Sequence, residues 1–304
     1  MAELAVTRSD EGMREESYRL RAILSFFAIY FLWGTTFLAI RIAVEEMPPL
    51  FAAGVRFFIA GVALFGFMVV RGEAKPTATQ WRNLALMGLL MFVAEYAPLF
   101  WAERFVPSGV VSVLAATIPI LTMIAEALIV RPERMRPMLV AATLLGFGGV
   151  TVLVWPGGQQ QFGVIPCLAV LAGSMGWAVG SVLSRSLDLP KARPVMAGAT
   201  MMLGGAGLLL LSLAFGELHP FPHVSTRGGM ALLYLIVFGS LVAFTAYMWL
   251  LAHMPASRVA SYAYVNPVVA VALGYFAAGE LITPRTLAGT LLVVVSVFLT
   301  LRRN

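Results

Sequence analysis

Of the 304 residues, 60% are hydrophobic and only 12% charged, against about 25% charged in an ordinary soluble domain. So few charges cannot clothe a water-facing surface, and a mean hydropathy of +0.88 assigns most of the chain to lipid. The net charge of +6 is spread between apolar runs instead of gathered in a stripe, which excludes a nucleic-acid partner, and the lone Cys167 excludes an internal disulfide.

Residues 1–21 are polar and carry both charge signs. They hold no short apolar core followed by a small-residue cleavage site, so a cytoplasmic tail is expected there, not a removable signal. Ten apolar runs follow, read as spans from the roughly 20 residues that cross a bilayer. They are Ala22–Val44, Leu50–Val70, Leu84–Ala102, Val110–Val130, Met138–Val154, Val164–Ser184, Val195–Phe215, Met230–Leu251, Val259–Ala278 and Leu287–Leu301. The uncharged stretch from Pro137 to Ser184 is too long for one helix, and Trp155-Pro156-Gly157-Gly158 divides it. His219 and His223 flank two prolines in a connecting loop, so no metal site is expected there.

Lysine and arginine fall unevenly between the two sides. With the N-terminus inside, Arg71, Lys75, Arg82, Arg131, Arg134, Arg136, Arg185, Lys191, Arg193, Arg258, Arg302 and Arg303 join the tail arginines there. The opposite loops hold mainly Arg104, Arg227 and Arg285 and include the acidic Glu45-Glu46, so both termini are expected in the cytoplasm. The halves also match. An offset of 144 carries Trp33 onto Trp177 and Arg41 onto Arg185; an offset of 148 carries Trp101 onto Trp249, Pro107 onto Pro255, Val111 onto Val259 and Pro119 onto Pro267. Five spans per half turn the second copy upside down, the inverted-repeat plan of secondary transporters. The expected fold is an all-α integral membrane protein of ten transmembrane helices, with repeats over 22–155 and 163–303.

The run Phe31-Leu32-Trp33-Gly34-Thr35-Thr36-Phe37-Leu38-Ala39-Ile40-Arg41 resembles the first span of EamA-type members of the drug/metabolite transporter superfamily. Pro48-Pro49-Leu50-Phe51-Ala52-Ala53-Gly54-Val55-Arg56-Phe57 resembles the start of their second. Val106-Pro107-Ser108-Gly109-Val110-Val111-Ser112-Val113-Leu114 with Thr117-Ile118-Pro119-Ile120 resembles their fourth, and Met254-Pro255-Ala256-Ser257-Arg258-Val259-Ala260, Asn266-Pro267 and Gly279-Glu280 repeat it. Arg131-Pro132-Glu133 departs from the usual Gly-Glu. Within the superfamily the chain is similar to bacterial exporters of aromatic and neutral amino acids of the YddG type. The resemblance implies ten spans, an inverted repeat and a central cavity.

Glu95 sits mid-span, where a carboxylate is costly unless paired, protonated or wet. It is either a proton-sensitive gate or ammonium partner, or a structural partner of an arginine or a hydroxyl. Glu126 reads as half of a helix-end ion pair with Arg131. Arg56, about 12 Å from Pro48 along a helix, is expected to snorkel outward or to pair with Glu45 or Glu46, a structural role favoured over the alternative of substrate binding. Arg41 is expected to do the same. Pro119 and Pro267 remove a backbone donor and release the carbonyls of Ala115 and Ala263, as acceptors for an ammonium, as bending points, or as plain kinks. Asn266 offers an amide to a carboxylate. Tyr30, Trp33, Tyr96, Phe100, Trp101, Trp177, Tyr247, Tyr262 and Tyr264 are the aromatic cavity candidates, and headgroup belts or helix packing are the competing account.

These readings point to a secondary carrier of the bacterial inner membrane that exports amino acids or similar small metabolites. No catalytic residue, cofactor or metal is expected. A membrane enzyme would need a polar catalytic cluster, and a channel would need a charge ring or carbonyl filter. The alternative within transporters is a drug, sugar or nucleotide-derived metabolite carrier. A nucleotide sugar would call for cavity Lys or Arg, and no span holds a lysine.

Overall fold

Lipid offers no hydrogen bonds to a free amide, so each apolar run satisfies its own backbone by coiling into a helix. The structure, a computed structural model, describes residues 16–129, 137–154, 163–220, 222, 224–254, 259 and 262–301, and all its regular elements are helical. In chain order they are α1 (Glu16–Glu46), α2 (Pro49–Val70), α3 (Ala78–Ala102), α4 (Ser108–Ile129), α5 (Pro137–Val154), α6 (Val164–Leu183), α7 (Arg193–Ala214), α8 (Thr226–Leu250), α9 (Tyr262–Ala278) and α10 (Pro284–Leu301). Seven of these are long and apolar enough to cross a membrane; α5, α9 and α10 contribute the shorter apolar stretches Leu144–Leu153, Val265–Ala278 and Pro284–Leu299. The chain is a multi-pass α-helical membrane bundle.

Both α1 and α3 begin six residues before the expected span. In α3 the reason is a capping box: Thr77 Oγ1 accepts from the Gln80 amide while the Gln80 side chain accepts from the Thr77 amide. Polar first turns lengthen a helix without lengthening its apolar run. The Trp155–Gly158 divider lies outside the described residues, between α5 and α6.

Helices from the two ends of the chain interleave. The pairs α2 with α7, α5 with α10 and α1 with α8 and α9 pack against each other, and α6 lies against α3 and α4. Large apolar side chains such as Phe276, Leu128 and Ile165 remain exposed on the periphery, as a lipid-facing surface requires.

Two kinds of irregularity shape the interior. Residues Ala28–Leu32 in α1, Leu89–Val93 in α3 and Leu235–Val242 in α8 are π-helical. A π turn admits one extra residue, which rotates the following face by about 100° and loosens the carbonyl ladder. The other irregularity is the break at Ala116–Thr117, which splits α4 into Ser108–Ala115 and Ile118–Ile129. Pro119 therefore does not kink a continuous helix. It sits in the first turn of the second half-helix, where a missing amide donor is harmless. Pro267 does lie inside its helix.

Candidate functional site

A cavity of about 650 Å³, counting its open mouth, lies among six helices. Helix α1 supplies Trp33, Thr36, Phe37 and Ile40; α2 supplies Arg56; α3 supplies Glu95, Tyr96 and Leu99. The broken α4 adds Ser112, Ala115, Ala116 and Ile118, α6 adds Trp177, and α9 adds Tyr262, Ala263 and Asn266. Ala115, which ends the first half of α4, and Ala263, whose carbonyl Pro267 releases, both line this space.

Two aromatic groups form its walls. Trp33 meets Tyr262 edge-on at 4.9 Å and Tyr247 at 5.1 Å, and its Nε1 donates to the Gly239 carbonyl (3.0 Å) within the π-helical part of α8. Tyr96 packs on Phe57 at 4.4 Å and on Trp177 at 6.3 Å. Such tilted and edge-on contacts fix ring planes as well as burying area.

The polar groups divide into spent and unspent. Thr36 Oγ1 donates to the Trp33 carbonyl (2.6 Å) and Ser112 Oγ to that of Gly109 (2.6 Å), so both hydroxyl protons serve their own helices. Asn266, in the amide orientation that satisfies its neighbours, donates from Nδ2 to the carbonyls of Ile29 (3.1 Å), Tyr30 (2.9 Å) and Tyr262 (3.3 Å). Ile29 and Tyr30 belong to the π segment of α1, which accounts for their available carbonyls. The amide donor expected to meet a carboxylate is therefore committed to backbone.

Arg56 neither snorkels nor pairs with Glu45 or Glu46. It is 2% exposed, and its Nε donates to Ser240 Oγ (3.0 Å). Its guanidinium lies 4.6 Å from the Phe57 ring centroid and 5.6 Å from that of Tyr96, while Nη1 has no hydrogen-bond partner. Glu45 and Glu46 are taken by others. Arg41 Nε binds Glu45 (2.8 Å), Arg227 reaches Glu45 and Glu46 (3.5 and 3.4 Å), and Ser225 Oγ donates to Glu46 (2.6 Å). Glu95 is 3% exposed; its Oε2 lacks a partner, and no ion pair to it occurs among the described residues. Among the described residues, the structural pairing open to Glu95 is thus not made. Glu126 pairs with Arg185 (2.7 Å), and the expected partner Arg131 lies outside the described residues.

Six of the candidates named from sequence line the cavity: Trp33, Glu95, Tyr96, Trp177, Tyr262 and Asn266. Tyr247 stands behind Trp33, and Phe100 is fully buried behind Tyr96. Trp101 meets Phe105 at the end of α3, and Tyr30 packs on Phe26. None of these four lines the cavity. The Tyr264 side chain lies outside the described residues. Arg56, Thr36 and Ser112 are cavity residues that the sequence reading did not select. For Arg56 the signal was present, a charge eight residues inside a span.

Just past α3, Glu103 is fully buried with both carboxylate oxygens unpartnered, while Arg41 Nη1 donates to its backbone carbonyl. Burial raises its carboxyl well above the ordinary value; Glu280 and Glu45 add to the rise and Arg41 opposes it. A carboxyl held neutral by the fold favours folding at low pH. That contribution is lost as pH climbs from the ordinary carboxylate range through the raised value. Glu103→Gln should therefore melt above the parent at about pH 8 and approach it near pH 4, the gap growing by at most about 1.4 kcal/mol per pH unit. Parallel melting curves across that range would refute the assignment.

The sequence matches the EamA-like transporter family over residues 20–155 and again over 164–302. The chain belongs to that family. It is a family of membrane transporters, not of enzymes. The chain is 38% identical over 260 residues, 84% of its length and 82% of the relative's, to the uncharacterized inner membrane transporter YedA of Escherichia coli strain K12. It is 25% identical to a probable amino-acid metabolite efflux pump of Salmonella typhimurium, covering 88% of this chain and 90% of that one. A solved crystal structure shares its fold, with a TM-score of 0.64, 21% identity and coverage of 91% and 95% of the two chains.

Proposed function

We propose that this EamA-like transporter is a secondary carrier of the bacterial inner membrane. It exports aromatic or neutral amino acids, or similar small metabolites, through two inverted five-helix repeats, with both termini in the cytoplasm. The observation that carries the reading is the cavity itself: aromatic walls enclosing one guanidinium, one carboxylate and the backbone of Ala115 and Ala263. A break in a helix beside the cavity, as in α4, is where transporters of this plan hold their solutes.

Several details support the repeat. Helices α2 and α7 both run 22 residues at an offset of 144, and each ends in a left-handed glycine (Gly72, φ 85°; Gly216, φ 76°) followed by a glutamate. Helices α3 and α8 each carry a π segment at a corresponding place. The relative named as a probable amino-acid metabolite efflux pump supports the substrate class, and YedA supports the inner membrane. The positive charges gathered on one side support the orientation.

The test is transport by purified protein in liposomes, run with and without a pH gradient. Labelled neutral amino acids should cross faster than in empty vesicles. Flux at the empty-vesicle rate across an amino-acid panel would remove the substrate reading. Movement of a sugar or a hydrophobic drug instead would establish the alternative carrier.

A further inference from the structure

Arg56 and Glu95 both line the cavity, are 2% and 3% exposed, and are not joined by an ion pair. Each keeps a polar atom without a partner, Nη1 on the arginine and Oε2 on the glutamate. An isolated charge in such surroundings is expensive, and a buried charge left unpaired is worse than a neutral group. Their formal charges cancel. A ligand with one charge would therefore compensate one of them and strand the other, whereas a ligand carrying both charges compensates the two together.

We propose that Arg56 and Glu95 form a two-point charge filter that selects zwitterions over singly charged analogues, with Arg56 holding the carboxylate and Glu95 the ammonium. This rests on the reading of the cavity as the transport site. Three observations give the filter its polarity. The guanidinium is anchored by Ser240 through Nε and flanked by two rings, which leaves its outer edge as a fixed fork for a carboxylate. Asn266 has committed its amide protons to Ile29, Tyr30 and Tyr262 and has none left to compete with Arg56 for the carboxylate. The Ala115 carbonyl at the end of the first half of α4 and the Ala263 carbonyl, freed by Pro267, are acceptors suited to an ammonium. The rings of Trp33, Tyr96, Trp177 and Tyr262 remain for an apolar or aromatic side chain.

The experiment uses three ligands that share one side chain and differ in charge: phenylalanine, 2-phenylethylamine and 3-phenylpropanoate. Uptake is measured in liposomes holding the full-length protein. The parent should favour phenylalanine over either analogue by about tenfold or more, a difference of about 1.4 kcal/mol. Arg56→Gln should bring the amine level with phenylalanine, and Glu95→Gln should bring the acid level. Arg56→Lys and Glu95→Asp, which keep the charges, should keep the parent's rank order. If Arg56→Gln fails to fold, Glu95→Gln decides alone by whether the acid rises. A parent that carries all three ligands equally overturns the filter, as do variants that slow every ligand by one common factor; in both cases phenylalanine still moves and the transport site stands. A parent that moves none of the three but does move a sugar or a hydrophobic cation overturns the filter and the substrate reading together.

Discussion

Gly205→Leu is expected to abolish recovery of folded protein. A Cβ at Gly205 would lie 2.7 Å from Phe58 Cα and 2.8 Å from the Phe57 carbonyl carbon, so it meets main chain that cannot rotate away. The same holds at Gly198, where a Cβ would come 2.6 Å from the Phe65 amide nitrogen, and at Gly61, 2.6 Å from Met202 Cα. Helices α2 and α7 thus touch backbone to backbone along their length. In lipid, where burying an apolar side chain gains little, such close contact is the main source of helix association. Overpacking a core usually costs about 1–3 kcal/mol when neighbours can adjust. Here the only relief is to separate two 22-residue helices, so the loss should exceed that range. Gly66→Leu on the same α2 is the control, because a Cβ there meets nothing within 4 Å. The pair should be compared in detergent by gel filtration and thermal melting; equal behaviour of the two variants would defeat the packing argument.

Sequence carried the helices because each span is a long local signal. Every described helix overlaps an expected span, and the differences concern polar first turns such as that of α3. It also carried chemistry that depends on one residue: Glu95 is buried, and the carbonyl released by Pro267 belongs to the cavity residue Ala263. What it did not carry was the facing of side chains. A helix presents a new face every residue, and the π segment at Leu89–Val93 shifts the phase immediately before Glu95 and Tyr96. A plain 3.6-residue wheel carried through from the start of α3 therefore misplaces Glu95 and Tyr96 relative to its first turns. Arg56 was misread for another reason. Its pairing required Glu45 or Glu46 to be vacant, and only the fold brings Arg227 and Ser225, some 180 residues distant, onto them. Asn266 shows the same limit, since its donors go to carbonyls that an unseen π segment had opened.

Removing the Glu280 side chain should cost about 2–3 kcal/mol of stability, since hydrogen bonds to a charged group are worth about 1.5–3 kcal/mol and their loss strands buried donors. The turn after α9 passes through Gly279 (φ 67°) and sends Glu280 to the start of α4, 172 residues earlier in the chain. Oε1 accepts from the Ser108 amide and hydroxyl (2.8 Å each) and Oε2 from the Gly109 amide (3.2 Å). A helix begins with amides that have no partner within it, and a carboxylate there also meets the positive end of the helix dipole. Gly274 keeps the space clear, for a Cβ there would press on Glu280 Cδ at 2.9 Å. Glu217 plays the same part for α2, accepting from Phe51 N (2.9 Å), Leu50 N (3.4 Å) and Ser212 Oγ (3.0 Å). Pro49 at the first position leaves α2 one donor fewer to satisfy, so Glu217→Ala should be the milder loss. Glu280→Gln retains one acceptor oxygen and should fall between Glu280→Ala and the parent. Because Ser108 opens the half-helix that delivers Ser112 and Ala115 to the cavity, Glu280→Ala should also slow transport at temperatures where it remains folded. A Glu280→Ala protein that melts with the parent would show that α4 starts without this carboxylate, and that its cap does not hold the cavity wall in place.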